Sequence, residues 1–167
     1  MKKLTLIILL FLLLAGCNND SATKEKELVA LELTNYLEKN LSSIENIEKD
    51  TIVSFNTFVS DKNKTTNEFI NFLENKIIPE YQDFYDKLNA ISPPHKEIAV
   101  AHDYYKTSAK YQLDAFNIYL EGLIESDYEK IKSVNSFINS SKEYLNMHRN
   151  ELINIAKKYD IKYTLTQ

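Results

Sequence analysis

The chain holds a single cysteine, Cys17, among its 167 residues. An internal disulfide and a multi-cysteine metal site are therefore excluded. It holds only two glycines and no tryptophan. Turns draw heavily on glycine, so the many-turned β-sandwich and α/β classes are disfavoured and a few long helices are favoured. The same shortage removes the Gly-rich phosphate loop and the Gly-x-Ser-x-Gly nucleophile elbow. Positive charge is also in deficit, with 20 Lys and Arg against 24 Asp and Glu. That balance argues against general affinity for nucleic acid or for anionic lipid heads. The prolines are Pro79, Pro93 and Pro94. Pro79 falls inside a helical pattern and should bend or locally break it, because it removes a donor and crowds the preceding turn.

The first residues are organised differently from the rest. Lys2 and Lys3 precede an apolar run from Leu4 to Leu14, which ends in Leu14-Ala15-Gly16-Cys17. A basic start, a short apolar segment and a small-residue cleavage site form a secretory signal peptide. The run is too short to span a bilayer well. Its closing tetrapeptide resembles the lipobox of bacterial lipoproteins. That resemblance implies cleavage before Cys17, a diacylglyceryl thioether on Cys17, an added palmitate-like acyl chain and attachment to the extracytoplasmic face of the cell membrane. Two or more acyl chains hold a protein stably, whereas one is marginal. The expected organisation is residues 1–16 as signal peptide, 17–26 as lipidated cysteine and flexible tether, and 27–163 as one domain. Losing Lys2 and Lys3 makes the mature body two charges more negative than the −4 of the whole chain.

Four helices are expected in that body. Thr23 opens the first, whose stripe runs through Leu33, Leu37, Leu41, Ile44, Ile47 and Ile52 to Phe55 and Phe58. Ser60 to Lys64 is a polar break, and Thr65-Thr66-Asn67-Glu68 is a capping box for the second helix. Its stripe is Phe69, Phe72, Leu73, Ile77, Phe84, Leu88 and Ile91. Ser92-Pro93-Pro94 opens the third helix with Ser92 as N-cap. Ile98, Ala101, Tyr105, Ala109, Gln112, Leu113, Phe116, Tyr119, Leu120 and Leu123 form its stripe. Ser126 to Glu129 is a second capping box. The fourth helix repeats every seven residues: Ile131, Ile138, Leu145, Leu152 and Tyr159, with Val134, Ser141, His148 and Ile155 between them. This is a coiled-coil-like seam. Four such helices with short loops predict an all-α, antiparallel, up-down four-helix bundle, monomeric in preference to a coiled-coil oligomer. The tail beyond Tyr163 should fray.

The inventory for chemistry is thin, and no catalytic residue or cofactor is assigned. Of the three histidines, His95 reads as a cap near a helix start, His102 as a core-edge residue and His148 as a seam residue bonded to another helix. His148 with Glu151 is an i,i+3 pair, the weak basis for an alternative metal- or small-ligand-binding bundle. The ferritin-like di-iron order is Glu-x-x-His with further Glu residues; here the order is reversed. Tyrosine is more unusual. On a helical wheel Val100, Tyr104, Tyr111 and Ile118 form a line away from the main stripe of the third helix. Tyrosine favours surfaces with one apolar and one wet side, so this line is the candidate partner-binding surface, or else covers the shoulder of a neighbouring helix. Tyr81 and Tyr85 carry the same two readings.

The run from Leu88 through Ser92-Pro93-Pro94 to His102 and Tyr105, followed by two long helices, resembles small helical lipoproteins of Gram-positive bacteria. The resemblance implies an all-α extracytoplasmic body and brings no catalytic residue. The expected function is a non-enzymatic, membrane-anchored protein that binds a protein or envelope partner.

Overall fold

The computed structural model describes residues 5–7, 20–162 and 164–166. Four helices form an all-α fold consistent with a helical bundle. Helix α1 spans residues 20–60, α2 residues 66–90, α3 Lys96–Glu125 and α4 Tyr128–Lys158. Outside them Thr5–Ile7 pairs antiparallel with Thr164–Thr166, Thr5 opposite Thr166. Cys17 and most of the leader lie outside the described residues. Among the described residues no helix is long and apolar enough to cross a membrane. Helix α1 is already formed at Asp20, so residues 20–26 are helical and not the flexible tether expected there.

Helices α1 and α2 each contain one wide turn. In α1 it covers Tyr36–Leu41, where the Ser42 N–H reaches back to Leu37 O. In α2 it covers Leu73–Ile77, with Ile78 N–H on Leu73 O. Such π-turns insert a residue and rotate the stripe that follows. The turn in α2 ends just before Pro79, so the helix passes the proline without a break. The missing donor is absorbed by a turn that has already left the α-helical pattern.

The caps follow side-chain chemistry, with two shifts from the expected positions. Thr65 and Glu68 form the expected reciprocal box: Thr65 N–H donates to Glu68 at 2.9 Å and Glu68 N–H to Thr65 Oγ1 at 3.3 Å. These bonds favour the ionised carboxyl and hold Glu68 well below its usual range, at about 2. Helix α3 starts at Lys96, not after Ser92, because the His95 ring accepts the Glu97 N–H at 3.3 Å and serves as N-cap. Helix α4 is capped by Asp127, which accepts from Glu129 and Lys130 N–H. Ser126 instead adopts the left-handed conformation, φ 55°, that ends α3. Asp160, φ 49°, ends α4 the same way. There Ile161 N–H turns back to Ala156 O at 2.7 Å. That closure buries Ile161 in the core, so the chain is still ordered past Tyr159.

Helices α3 and α4 meet along a seam of small residues. Along α3, Ala101, Ser108, Ala115 and Gly122 recur every seven residues, and all are buried. Ser108 Oγ donates to Ser141 O at 2.8 Å, across the seam. His148 Nδ1 sits 2.8 Å from Ala101 O. At Gly122 an added Cβ would lie 2.8 Å from Ile131 Cγ1 and 3.1 Å from Ile131 N. Against this pair the other helices build two cores. Near the chain ends Val29, Leu33 and Tyr36 pack on Ile98, Ala101, Leu152 and Ile155. Farther along, Ile44, Leu73, Ile77, Tyr81, Phe84 and Leu88 pack on Tyr105, Ala109, Leu113 and Phe116. The second core takes no fully buried residue from α4. There Val134, Ile138 and Leu145 are only half-buried, and α4 rests chiefly on α3.

Gly122→Ala gains about 1 kcal/mol of helix propensity but drives a methyl into the α3–α4 connection, an overpacking worth about 1–3 kcal/mol. A net loss is expected, and Gly122→Val should lose more. Urea unfolding of the two variants checks it; a Gly122→Ala protein more stable than the parent would show that the helices can move apart at no cost.

Candidate functional site

The buried polar groups gather where the two cores meet. The wide turn in α1 brings Tyr36 inward, and its hydroxyl lies 3.1 Å from His102 Nδ1. The Tyr36 ring is edge-on to His102 and to His148. His148 stacks on Tyr105, with ring centroids 4.8 Å apart and planes inclined by 22°. The Tyr105 hydroxyl donates to Glu48 Oε2 at 2.6 Å, and the Tyr81 hydroxyl approaches Oε1 at 3.4 Å. All four helices contribute: Tyr36 and Glu48 from α1, Tyr81 from α2, His102 and Tyr105 from α3, His148 from α4.

Burial sets the protonation states. It pushes the His148 imidazole down to about 4, partly offset by the Ala101 carbonyl and reinforced by the neighbouring charges of His102 and Arg149. It also lowers His102, which faces Lys106 and Asp103 on its own helix and the carbonyls of Leu88 and Ile91 at the end of α2. Even so, His102 Nε2 is buried without a hydrogen-bond partner. Burial raises the Glu48 carboxyl, while the hydroxyls of Tyr105 and Tyr81 and the charge of Arg149 pull it back. The Tyr36 phenol is pushed well above its ordinary value. At neutral pH both rings are uncharged and the phenols protonated. Such a cluster can carry a proton, but Tyr36, Tyr81, Tyr105, His102 and His148 are each more than nine-tenths buried, away from solute.

Each residue singled out from sequence has a definite place. His148 is a seam residue bonded to another helix, as expected, and its partner there is a backbone carbonyl, Ala101 O. His102 is fully buried rather than at the core edge. For His148 and Glu151 no third metal ligand is near: among the described residues no three His, Cys, Asp or Glu side chains cluster. Tyr81 is core, 1% exposed, and carries no interface. The tyrosine line of α3 leans on α4. Tyr111 stacks on Tyr144 at 5.6 Å and touches Phe137, and Tyr104 tilts over Tyr144 at 6.4 Å. Tyr104, Tyr111 and Ile118 are half-buried, and Val100 is 46% exposed. Tyr111 also lines an open groove between α2 and α3, with Tyr85 and Asn89 from α2 and the charged Asp103, Lys106, Lys110 and Asp114 from α3. The line is therefore a helix shoulder, and of its four residues Tyr111 alone also lines the groove. Tyr36 and Glu48 were not singled out. Their signals were present: Tyr36 continues Val29 and Leu33 at i+3, and Glu48 follows Ile44 at i+4.

No known protein family, curated protein or solved structure matches this chain.

Opposing pH dependences follow from the buried groups. An unfolded histidine titrates near about 6.5, and His148 near 4. Between these values the unfolded chain binds more protons. The stability His148 contributes is therefore whole above about pH 6.5 and falls as pH drops toward 4, by up to about 3 kcal/mol. Glu48, raised, has the opposite sign: its contribution is whole below about 4.5 and lost as pH rises through its folded value. Glu48→Gln should therefore raise stability at pH 7.5 and expose a monotonic decline from pH 6.5 to 4. His148→Gln should flatten that decline. Urea unfolding at a series of pH values measures both, and an E48Q profile that stays level below pH 6.5 would contradict the burial of neutral His148. At the shoulder, a double-mutant cycle of Tyr111→Ala with Tyr144→Ala should give a coupling of about 0.5–1.5 kcal/mol; zero coupling would leave Tyr111 to the groove alone.

Proposed function

We propose that the chain is a lipid-anchored protein of the outer face of the cytoplasmic membrane, without enzymatic activity, whose helical body is offered to a protein or envelope polymer. The observation that carries the reading is Leu14-Ala15-Gly16-Cys17 behind a basic and apolar leader. Three residues after that cysteine the first helix has begun. A body whose described helices cannot span a bilayer needs such an attachment to stay at a membrane. The binding half of the reading is supported by the groove between α2 and α3. Tyr85 and Tyr111 supply flat apolar walls there, and Asn89, Thr107 and Lys106 supply hydrogen-bonding groups. The shifted histidines and tyrosines of the interior, by contrast, are buried among themselves, away from any partner. The body acts as a monomer without nucleic-acid partners, in keeping with its acidic balance.

Cys17→Ala should move the protein from the detergent phase to the aqueous phase in a cloud-point separation of producing bacterial cells. Mass analysis of the parent's N-terminal peptide should show a diacylglyceryl group on Cys17. A parent found in the aqueous phase with a free thiol and an intact leader would overturn the reading.

A further inference from the structure

Helix α1 turns its buried residues inward along Val29, Ala30, Leu33 and Tyr36. With about 3.6 residues per turn, the opposite side of the same segment carries Lys24, Leu28, Leu31 and Asn35. Leu28 and Leu31 are 53% and 54% exposed, although they are among the most apolar residues of the chain. They neighbour each other at i,i+3 and face directly away from the core. An ordinary solvent-facing stripe would be polar.

Their position along the chain says what covers them. Two residues separate Cys17 from Asp20, where the helix is already formed, so that link reaches at most about 10 Å. Leu28 and Leu31 lie eight and eleven residues into the helix, about 12 and 17 Å along its axis. Both leucines are thus tied within a few turns of the sulfur expected to carry the acyl chains. We infer that Leu28 and Leu31 form a membrane seat: α1 leans on the bilayer and sinks these two side chains into the boundary between headgroups and acyl chains. The inference rests on the proposed lipidation of Cys17. Exposed Glu25 and Glu27 flank the stripe, so the contact is apolar rather than electrostatic. Neutral phosphatidylcholine suffices for it, and salt does not weaken it.

The lone native cysteine makes the test clean, because once Cys17 is acylated an introduced thiol is the only one free. The full lipidated chain is placed in phosphatidylcholine vesicles with a nitroxide at Leu28→Cys, Leu31→Cys or, as a control, exposed Lys142→Cys. Flotation with the vesicles reports the anchor. Collision with oxygen against a water-soluble nickel complex reports the surroundings of each label. Labels at 28 and 31 should favour oxygen several-fold over the label at 142, equally at low and high salt. Labels at 28 and 31 that stay open to nickel in floating protein overturn the seat while leaving the anchor intact. Labels closed to both reagents in lipid-free protein would mean that a second copy covers the face, and also overturn it. Protein that does not float removes the anchor and the seat together. Leu28→Ser/Leu31→Ser, which disturbs no buried residue, should still float, and a label at Asn35→Cys in that background should lose its preference for oxygen.

Discussion

The structure depends on how closely α3 and α4 approach. Side chains normally hold helices 8–10 Å apart; a repeat of Ala101, Ser108, Ala115 and Gly122 on α3 removes the usual spacers along the whole seam. One step of seven on α3 matches a step of seven back along α4, from the Ala101–His148 bond to the Ser108–Ser141 bond, and at the loop end Gly122 meets Ile131, one turn off that register. The two-residue connection through left-handed Ser126 and capping Asp127 requires that proximity too. The seam buries little large apolar surface, since its residues are small. Most of the hydrophobic free energy, which scales with apolar area, therefore comes from the large side chains of α1 and α2 docking on the outer faces of this hairpin.

The same geometry explains why a polar cluster lies in the interior. The His148 ring can reach a main-chain carbonyl of α3 only because the backbones are near. Once that ring lies flat on Tyr105, the Tyr105 hydroxyl is carried to α1, where Glu48 accepts it. Tyr36 enters from the wide turn of α1 and meets His102. These contacts cost desolvation and add little net stability. They occupy the junction between the two apolar cores, where a one-turn slip of α1 would orphan Glu48, Tyr36 and His102 together. A purely apolar junction would penalise that slip far less. The cluster's effect is on register, and the unpartnered His102 Nε2 shows that the fit is tight without being complete.

Much of this could be read from residue order, and the failures have physical causes. Four helices, their order, the Thr65–Glu68 box and the heptad of α4 are local properties, fixed by cap chemistry and by the 3.6-residue period. The small-residue seam has the same seven-residue period, but Ser108 and Gly122 carry no apolar side chain and Ala115 only a methyl, so a search for large apolar stripes passes over the repeat. Tyr36 and Glu48 escaped for a related reason: each sits at a stripe position with a polar atom, and only a partner on another helix makes such a position tolerable. The wide turns also displaced the pattern, because an inserted residue rotates everything after it. Pro79 marked an irregular stretch of α2, where a bend or local break was expected and a π-turn ends just before the proline. At Ser92 the better capping residue lost to His95, and at Ser126 an equally good capper, Asp127, took the position.

Helix formation right up to Asp20 bears on what a body anchored as proposed could do. A flexible tether of ten residues would spread over tens of ångströms and leave the bundle free to tumble above a membrane. With the link reduced to two residues, the first helix of a chain lipidated at Cys17 would start close to the lipid. In up-down order α3 starts at that same end, joined to it by the Lys26–Asp160 and Lys158–Glu97 pairs across the chain termini. The groove residues Lys106 to Tyr111 then lie about 15–25 Å along α3 from that end. On this reading a partner would be met close to the bilayer, among headgroups and the innermost envelope polymers, by a body whose lean is set by the outer face of α1. The contact surfaces and the anchor would act as one rigid unit, so that a partner bound in the groove would be held at a fixed height as well as retained.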